Sequence, residues 1–162
     1  MKITTIILLL SNLCLGDQRH FVWTYEYKTV KRGGVELEHY FTTSNLPGVI
    51  KTNHQLELEI GMNDRFDFAV YHQFEQQDSL HLDNNKMKYK GYKLRWRYRI
   101  GEQNQYFMDP LLYMEYHGKP DFSEHGIETK LILAKETGKL IASLNPILEI
   151  EIENDEKEIK TE

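Results

Sequence analysis

Hydrophobic and polar residues alternate with period two along most of the chain. In Gln55-Leu56-Glu57-Leu58-Glu59-Ile60 the even positions are apolar and the odd ones polar, and Arg65-Phe66-Asp67-Phe68-Ala69-Val70-Tyr71 repeats the pattern after Asn63-Asp64. The stretch Tyr92-Lys93-Leu94-Arg95-Trp96-Arg97-Tyr98-Arg99-Ile100 is the clearest, with five apolar residues on one face and four cations on the other. Leu148-Glu149-Ile150-Glu151-Ile152-Glu153 closes the series, and Val35–Glu38 and Ile127–Leu131 agree more weakly. As helices these sequences would spread charge around the whole circumference, so the period predicts strands.

Eight such segments are expected, at 21–30, 35–42, 54–62, 65–74, 87–100, 105–116, 125–134 and 139–153. Tight joints fall at 31–34, 63–64, 101–104 and 135–138, and longer polar ones at 43–53, 75–86 and 117–124. Pro110 and Pro146 lie inside segments, and each marks a bulge, an edge or a late strand start. Short turns on one rim and long loops on the other are the habit of a barrel across an outer membrane. The fold class expected is all-β, an antiparallel up-and-down (meander) β-barrel of about eight strands, either complete or a truncated part of a larger barrel.

Alternation does not say which face meets water. In a soluble barrel the Leu and Tyr residues point inward; in a membrane barrel they meet lipid and the charges line the lumen. Three features favour the membrane: the joint lengths, the aromatics at segment ends (Phe21, Trp23, Tyr40, Phe41, Phe74, Trp96, Tyr98, Tyr106, Phe107 and Tyr116), and the first residues of the chain. There, Lys2 precedes the apolar run Ile3–Leu10, and polarity begins after Gly16, which reads as a secretory signal peptide over 1–16. A lipoprotein signal on Cys14 is the rival, disfavoured by Leu13 beside it. The barrel domain is then 17–153, followed by an acidic polar tail at 154–162.

Composition narrows the partners. Cys14 is the single cysteine, so the exported chain carries no disulfide framework. The formal charge is −5, one unit more negative once Lys2 is removed, which disfavours nucleic acid. The partners expected are membrane lipid and small solutes. The alternative is a soluble secreted or periplasmic barrel that binds an apolar ligand in its interior.

The strings Phe21–Glu26, Val35–Thr42, Asn63–Tyr71, Tyr92–Arg99, Asp109–Tyr116 and Ile132–Lys135 resemble a poorly characterised family of Gram-negative outer-membrane β-barrels. That family is loosely similar to barrel proteins assigned as transporters in aromatic-degradation settings. The resemblance implies an outer-membrane barrel and no catalytic residues. Two features depart from it: the chain stops at an acidic tail, and Glu162 is not the terminal aromatic of most bacterial barrels. With all eight segments spanning, the long loops would also lie on the periplasmic rim, the reverse of the usual arrangement. Either the barrel is truncated, the favoured reading, or segment 21–30 pairs at an edge or lies in the lumen.

The sharpest chemical constellation is Lys93, Arg95, Arg97 and Arg99 on one face of one strand. Asp67 and Glu115 flank it on neighbouring segments, and Glu36, Glu38, Glu57, Glu59, Glu149 and Glu151 occupy the same kind of face. In a barrel these residues line the lumen, either as a path that selects solutes by sign or as an ion-pair ladder that fills a narrow interior. His81, His117 and His125, near Asp78, Asp83, Asp121 and Glu124, lack tight ligand spacing and read as solvated loop residues rather than a metal site. No Gly-x-Ser-x-Gly elbow, phosphate loop or reactive cysteine occurs, and no motif calls for a cofactor, so the protein is expected to be non-enzymatic.

Overall fold

The computed structural model describes residues 20–21, 24–79, 86–153 and 156–161. The expected leader over 1–16, with Cys14, lies outside them, as do Trp23, His81 and Asp83. Among the described residues all regular structure is strand: β1 (Val35–Leu46), β2 (Val49–Asn63), β3 (Phe66–Ser79), β4 (Lys86–Arg99), β5 (Asp109–Gly118), β6 (Glu124–Thr137), β7 (Leu140–Leu144), β8 (Ile147–Glu153) and β9 (Glu156–Thr161). They form one antiparallel up-and-down sheet in the order β1-β2-β3-β4-β5-β6-β8-β9, with β7 also paired to β6. The all-β meander is therefore as the period-two pattern requires. The sheet is open, with no pairing between β1 and β9 among the described residues.

Several boundaries differ from the sequence expectation. The polar stretch 43–53 is not a long loop. Leu46 pairs with Val49 across Pro47-Gly48, with Gly48 at φ 76°, because proline presets the first turn position and glycine accepts the positive φ of the second. Thr43, Ser44 and Thr52 are polar strand ends, and the hydroxyls of Thr43 and Thr52 lie 3.3 Å apart. Conversely, 101–104 is not a tight joint: β4 ends at Arg99 and β5 begins at Asp109. Asp109 organises that connection by accepting the backbone N–H groups of Asn104 at 2.7 Å and Tyr106 at 3.2 Å. The strict alternation of short and long joints is thus lost.

Pro110 sits at the start of β5, and the expected strand 139–153 is split by Asn145-Pro146 into β7 and β8 on the same edge of β6. Proline offers no N–H to the ladder, so the pairing lapses there. Residues 156–161, expected as a polar tail, form β9 against β8, with Ile150 opposite Ile159 and Glu149 opposite Lys160.

The described part of segment 21–30 is not a strand but a strap across the inner face. Tyr25 packs its ring, tilted by 52°, against Tyr113 of β5 with centroids 4.9 Å apart, and its carbonyl accepts the Ser143 hydroxyl of β7 at 2.6 Å. The Tyr27 hydroxyl donates to the carbonyls of Ile100 at 3.1 Å and Gly101 at 2.8 Å beyond β4. Val30 N–H donates to Asp67 of β3 at 2.9 Å. Gly33 N–H then reaches the Gly61 carbonyl of β2 at 2.8 Å, and Gly61 N–H reaches Gly34 at 2.9 Å. A Cβ on Gly61 would collide with the Lys31 carbonyl, so glycine is needed there for the strap to lie down. Tyr27 of the strap and Leu111, Tyr113, Ile132 and Ala134 beneath it form an apolar core.

Candidate functional site: the charged inner face

Register fixes what each face carries. One row of residues runs Leu37, Leu58, Val70, Leu94, Tyr116, Ile127, Ile150 and Ile159 across all eight strand positions of the sheet. The next runs Val35, Ile60, Phe68, Trp96, Met114, Thr129 and Leu148. These rows face outward, with Leu37 52%, Leu58 41%, Met114 44% and Ile127 45% exposed. Toward one rim the same face carries aromatic and imidazole rings in near contact: His39 on His54, Phe74 on Tyr89, and Tyr92 beside Tyr116 and Phe122.

The inverse set faces inward. The row that alternates with the first carries Glu36, Glu59, Ala69, Arg95, Glu115, Glu128, Glu149 and Lys160. Glu57, Glu59, Asp67, Arg95, Arg97 and Glu115 are buried, Arg95 and Asp67 completely. Buried charge persists only where it is paired. Arg97 grips Asp67 with two nitrogens, Nε at 3.0 Å and Nη2 at 2.6 Å, and also pairs with Glu59. Arg95 reaches Glu57 at 2.8 Å and Glu59 at 2.5 Å and donates to the Tyr71 hydroxyl, which in turn donates to Glu57 at 2.7 Å.

The pairing differs in one respect from strand neighbourhood alone. Glu115 stands directly opposite Arg95, yet it binds Lys93 at 2.7 Å and accepts the Tyr113 hydroxyl at 2.7 Å. Arg95 instead passes over β3 to β2, because the residue between it and Glu59 is Ala69, too short to block the guanidinium. Arg99 lies apart from this network, over the Tyr27 ring at 5.4 Å and bonded to the Asp64 carbonyl. Glu36 and Glu38 are half-buried on the inner face of β1, where the Tyr40 hydroxyl donates to Glu38. Tyr71, Tyr113, Ala69 and the strap were not legible as site residues, since each looks like ordinary strand or leader-proximal sequence until register places it.

A cleft of about 950 Å³ remains between the strap and the inner face, bordered by Glu38, Tyr40, Gln55, Gln73, Lys90 and Lys130. Lys130 lies 4.8 Å from the ring centroids of both Tyr25 and Tyr113 and pairs with Glu128 at 2.9 Å. Among the described residues, the loop positions considered for metal are not gathered. Asp121 accepts the Ser123 hydroxyl at 2.8 Å and its N–H at 3.1 Å, bonds that hold the carboxyl below its usual range. Glu124 pairs with Lys119, Asp78 accepts from Gln76, and His125 lies against Tyr116 on the outer face. Of the two described histidines in that set, His117 points inward, toward Glu149 and Glu151.

No family model, curated protein or solved structure matches this chain.

Proposed function

We propose that this chain is an outer-membrane β-barrel protein, non-enzymatic, in which lipid covers the apolar outer face and the inner face serves a structural role or passive small-solute passage. One observation carries the reading: the apolar rows are turned outward and exposed while the arginine and glutamate rows are buried inside. In water this arrangement is inverted, since it hides ionic groups and exposes Leu37, Leu58, Met114 and Ile127. In hydrocarbon it is the favourable one, because an arginine on the lipid face costs about 2–4 kcal/mol near the bilayer midplane. The outer apolar rows, from the Phe41 and His54 level to the Phe66 and Tyr98 level, cover about 20 Å after strand tilt, close to the lipid-facing band of such barrels. The soluble alternative asks for a continuous apolar interior, whereas here the apolar core is confined to the strap, β5 and β6, and Glu57, Glu59, Asp67, Arg95 and Arg97 are buried beside it.

Within that reading the structural role is favoured over open passage. The strap and the closed arginine pairs occupy the space that a free pore needs. The test is dilution of urea-unfolded full-length chain into phosphatidylcholine vesicles and, in parallel, into buffer. Folding to a heat-modifiable species only in vesicles is expected. A monomer that is folded and soluble without lipid or detergent would overturn the reading. Planar-bilayer recording on the inserted chain then separates the two roles, with no steady conductance expected.

A further inference from the structure

We propose that His117, Glu149 and Glu151 bind one divalent transition-metal ion on the inner face, with zinc the ion best suited to an imidazole and two carboxylates. His117 comes from the end of β5 and the glutamates from β8, with β6 between them. Their donor atoms all lie within 4.8 Å of one another, and His117 Nε2 is 4.0 Å from a Glu149 oxygen. Zinc bonds of about 2.0–2.2 Å hold ligand atoms roughly 3.3 Å apart, so small side-chain rotations close the set around an ion. Three protein donors leave one position for water.

Two further observations single out this trio. The first is Gly126, which stands between His117 and Glu151 in the register. A Cβ there would lie 2.6 Å from His117 Nε2, 2.9 Å from its Cε1 and 2.8 Å from the Ile150 carbonyl oxygen, so the absent side chain lets both the imidazole and the β8 backbone close over β6. The second concerns commitment of the acids. Glu57, Glu59 and Asp67 are held by arginines, Glu115 by Lys93 and Glu128 by Lys130, whereas Glu149 has only His117 as an ionic neighbour among the described residues. Lys160 is the competitor: its ammonium lies 2.5 Å from Glu151, and Glu158 on its own strand, at 3.4 Å, can receive it when an ion arrives. None of this depends on what covers the outer face.

Calorimetric titration of the folded full-length chain with zinc chloride in a non-chelating buffer tests the site. One ion per chain is expected. His117→Ala and Glu149→Gln should each weaken binding at least about tenfold. Gly126→Ala should weaken it comparably while removing no donor, and His125→Ala, on the other face, should leave it unchanged. Lys160→Gln, at a largely solvated position, should tighten binding several-fold by removing the competing cation. Absence of saturable binding by the parent chain overturns the proposal. So does unchanged or weaker binding by Lys160→Gln, which keeps the test decisive if an interior variant fails to fold.

Discussion

Ala69 determines where Arg95 can go. It is fully buried on the inner face of β3, directly between Glu59 and Arg95, and any longer side chain would stand in the guanidinium's path. Ala69→Leu should therefore cost about 3–5 kcal/mol, since it both overpacks the site and separates a buried cation from its carboxylates. Urea titration of the folded protein, with Tyr and Trp fluorescence as probe, measures this. Arg95→Met, which removes the arginine that bridges Glu57 and Glu59 and leaves Glu59 to Arg97 alone, should be similarly harmful. If instead Ala69→Leu is nearly neutral, Arg95 does not depend on that crossing. On the opposite face the expectation is of another kind. Leu94→Arg should leave inner pairing intact yet reduce folding into vesicles by about 2–4 kcal/mol, read as the shift in urea midpoint, because the new charge meets lipid in the proposed setting.

Among the elements, the strap is one that period-two reasoning takes for a strand. Its apolar and aromatic residues, Tyr25, Tyr27 and Val30, look like one more strand, but they fill the inner face from β7 to β2. The backbone of an unpaired segment needs partners wherever it is buried, and here Asp67, Gly61 and Ser143 supply them. Gly61→Val should lift the 31–34 turn away from β2. Hydrogen exchange at Val30, Gly33 and Gly34 should then accelerate markedly, while the amides of β5 and β6 stay protected. Uniform acceleration across the sheet would mean that the strap holds the whole fold together rather than resting on it.

At the scale of the molecule the open sheet sets a requirement. An unpaired strand edge cannot stand in hydrocarbon, where each unsatisfied backbone group costs several kcal/mol. The path β1-β2-β3-β4-β5-β6-β8-β9 has an even number of antiparallel positions, so β1 and β9 run in opposite directions and can join each other or the edges of a second copy. Pairing with β2 engages every second amide of β1 and leaves the alternate set on the open edge. On insertion into vesicles both sets should become protected. Persistence of the alternating pattern in lipid would show that the β1 edge remains unsatisfied, and the lipid-facing reading of the outer rows would fall with it.

The sequence by itself determined the central strands and the sorting of their residues between two faces, because the side-chain period of a strand is two and a one-residue slip would exchange charge for hydrocarbon along the whole row. It also placed Lys93, Arg95, Arg97 and Arg99 together on one side and identified Asp67 as a partner for that face. What only the tertiary structure decided involves reach across more than one strand: Arg95 passing Ala69 to Glu59, His117 passing Gly126 toward Glu151, and Tyr27 crossing from outside the sheet to Gly101. Alternation is local, and it carries no information about which small residue on the neighbouring strand leaves room for a long side chain to reach the strand beyond. The direction each face takes was equally beyond it, since lipid and water demand opposite answers from the same alternating string.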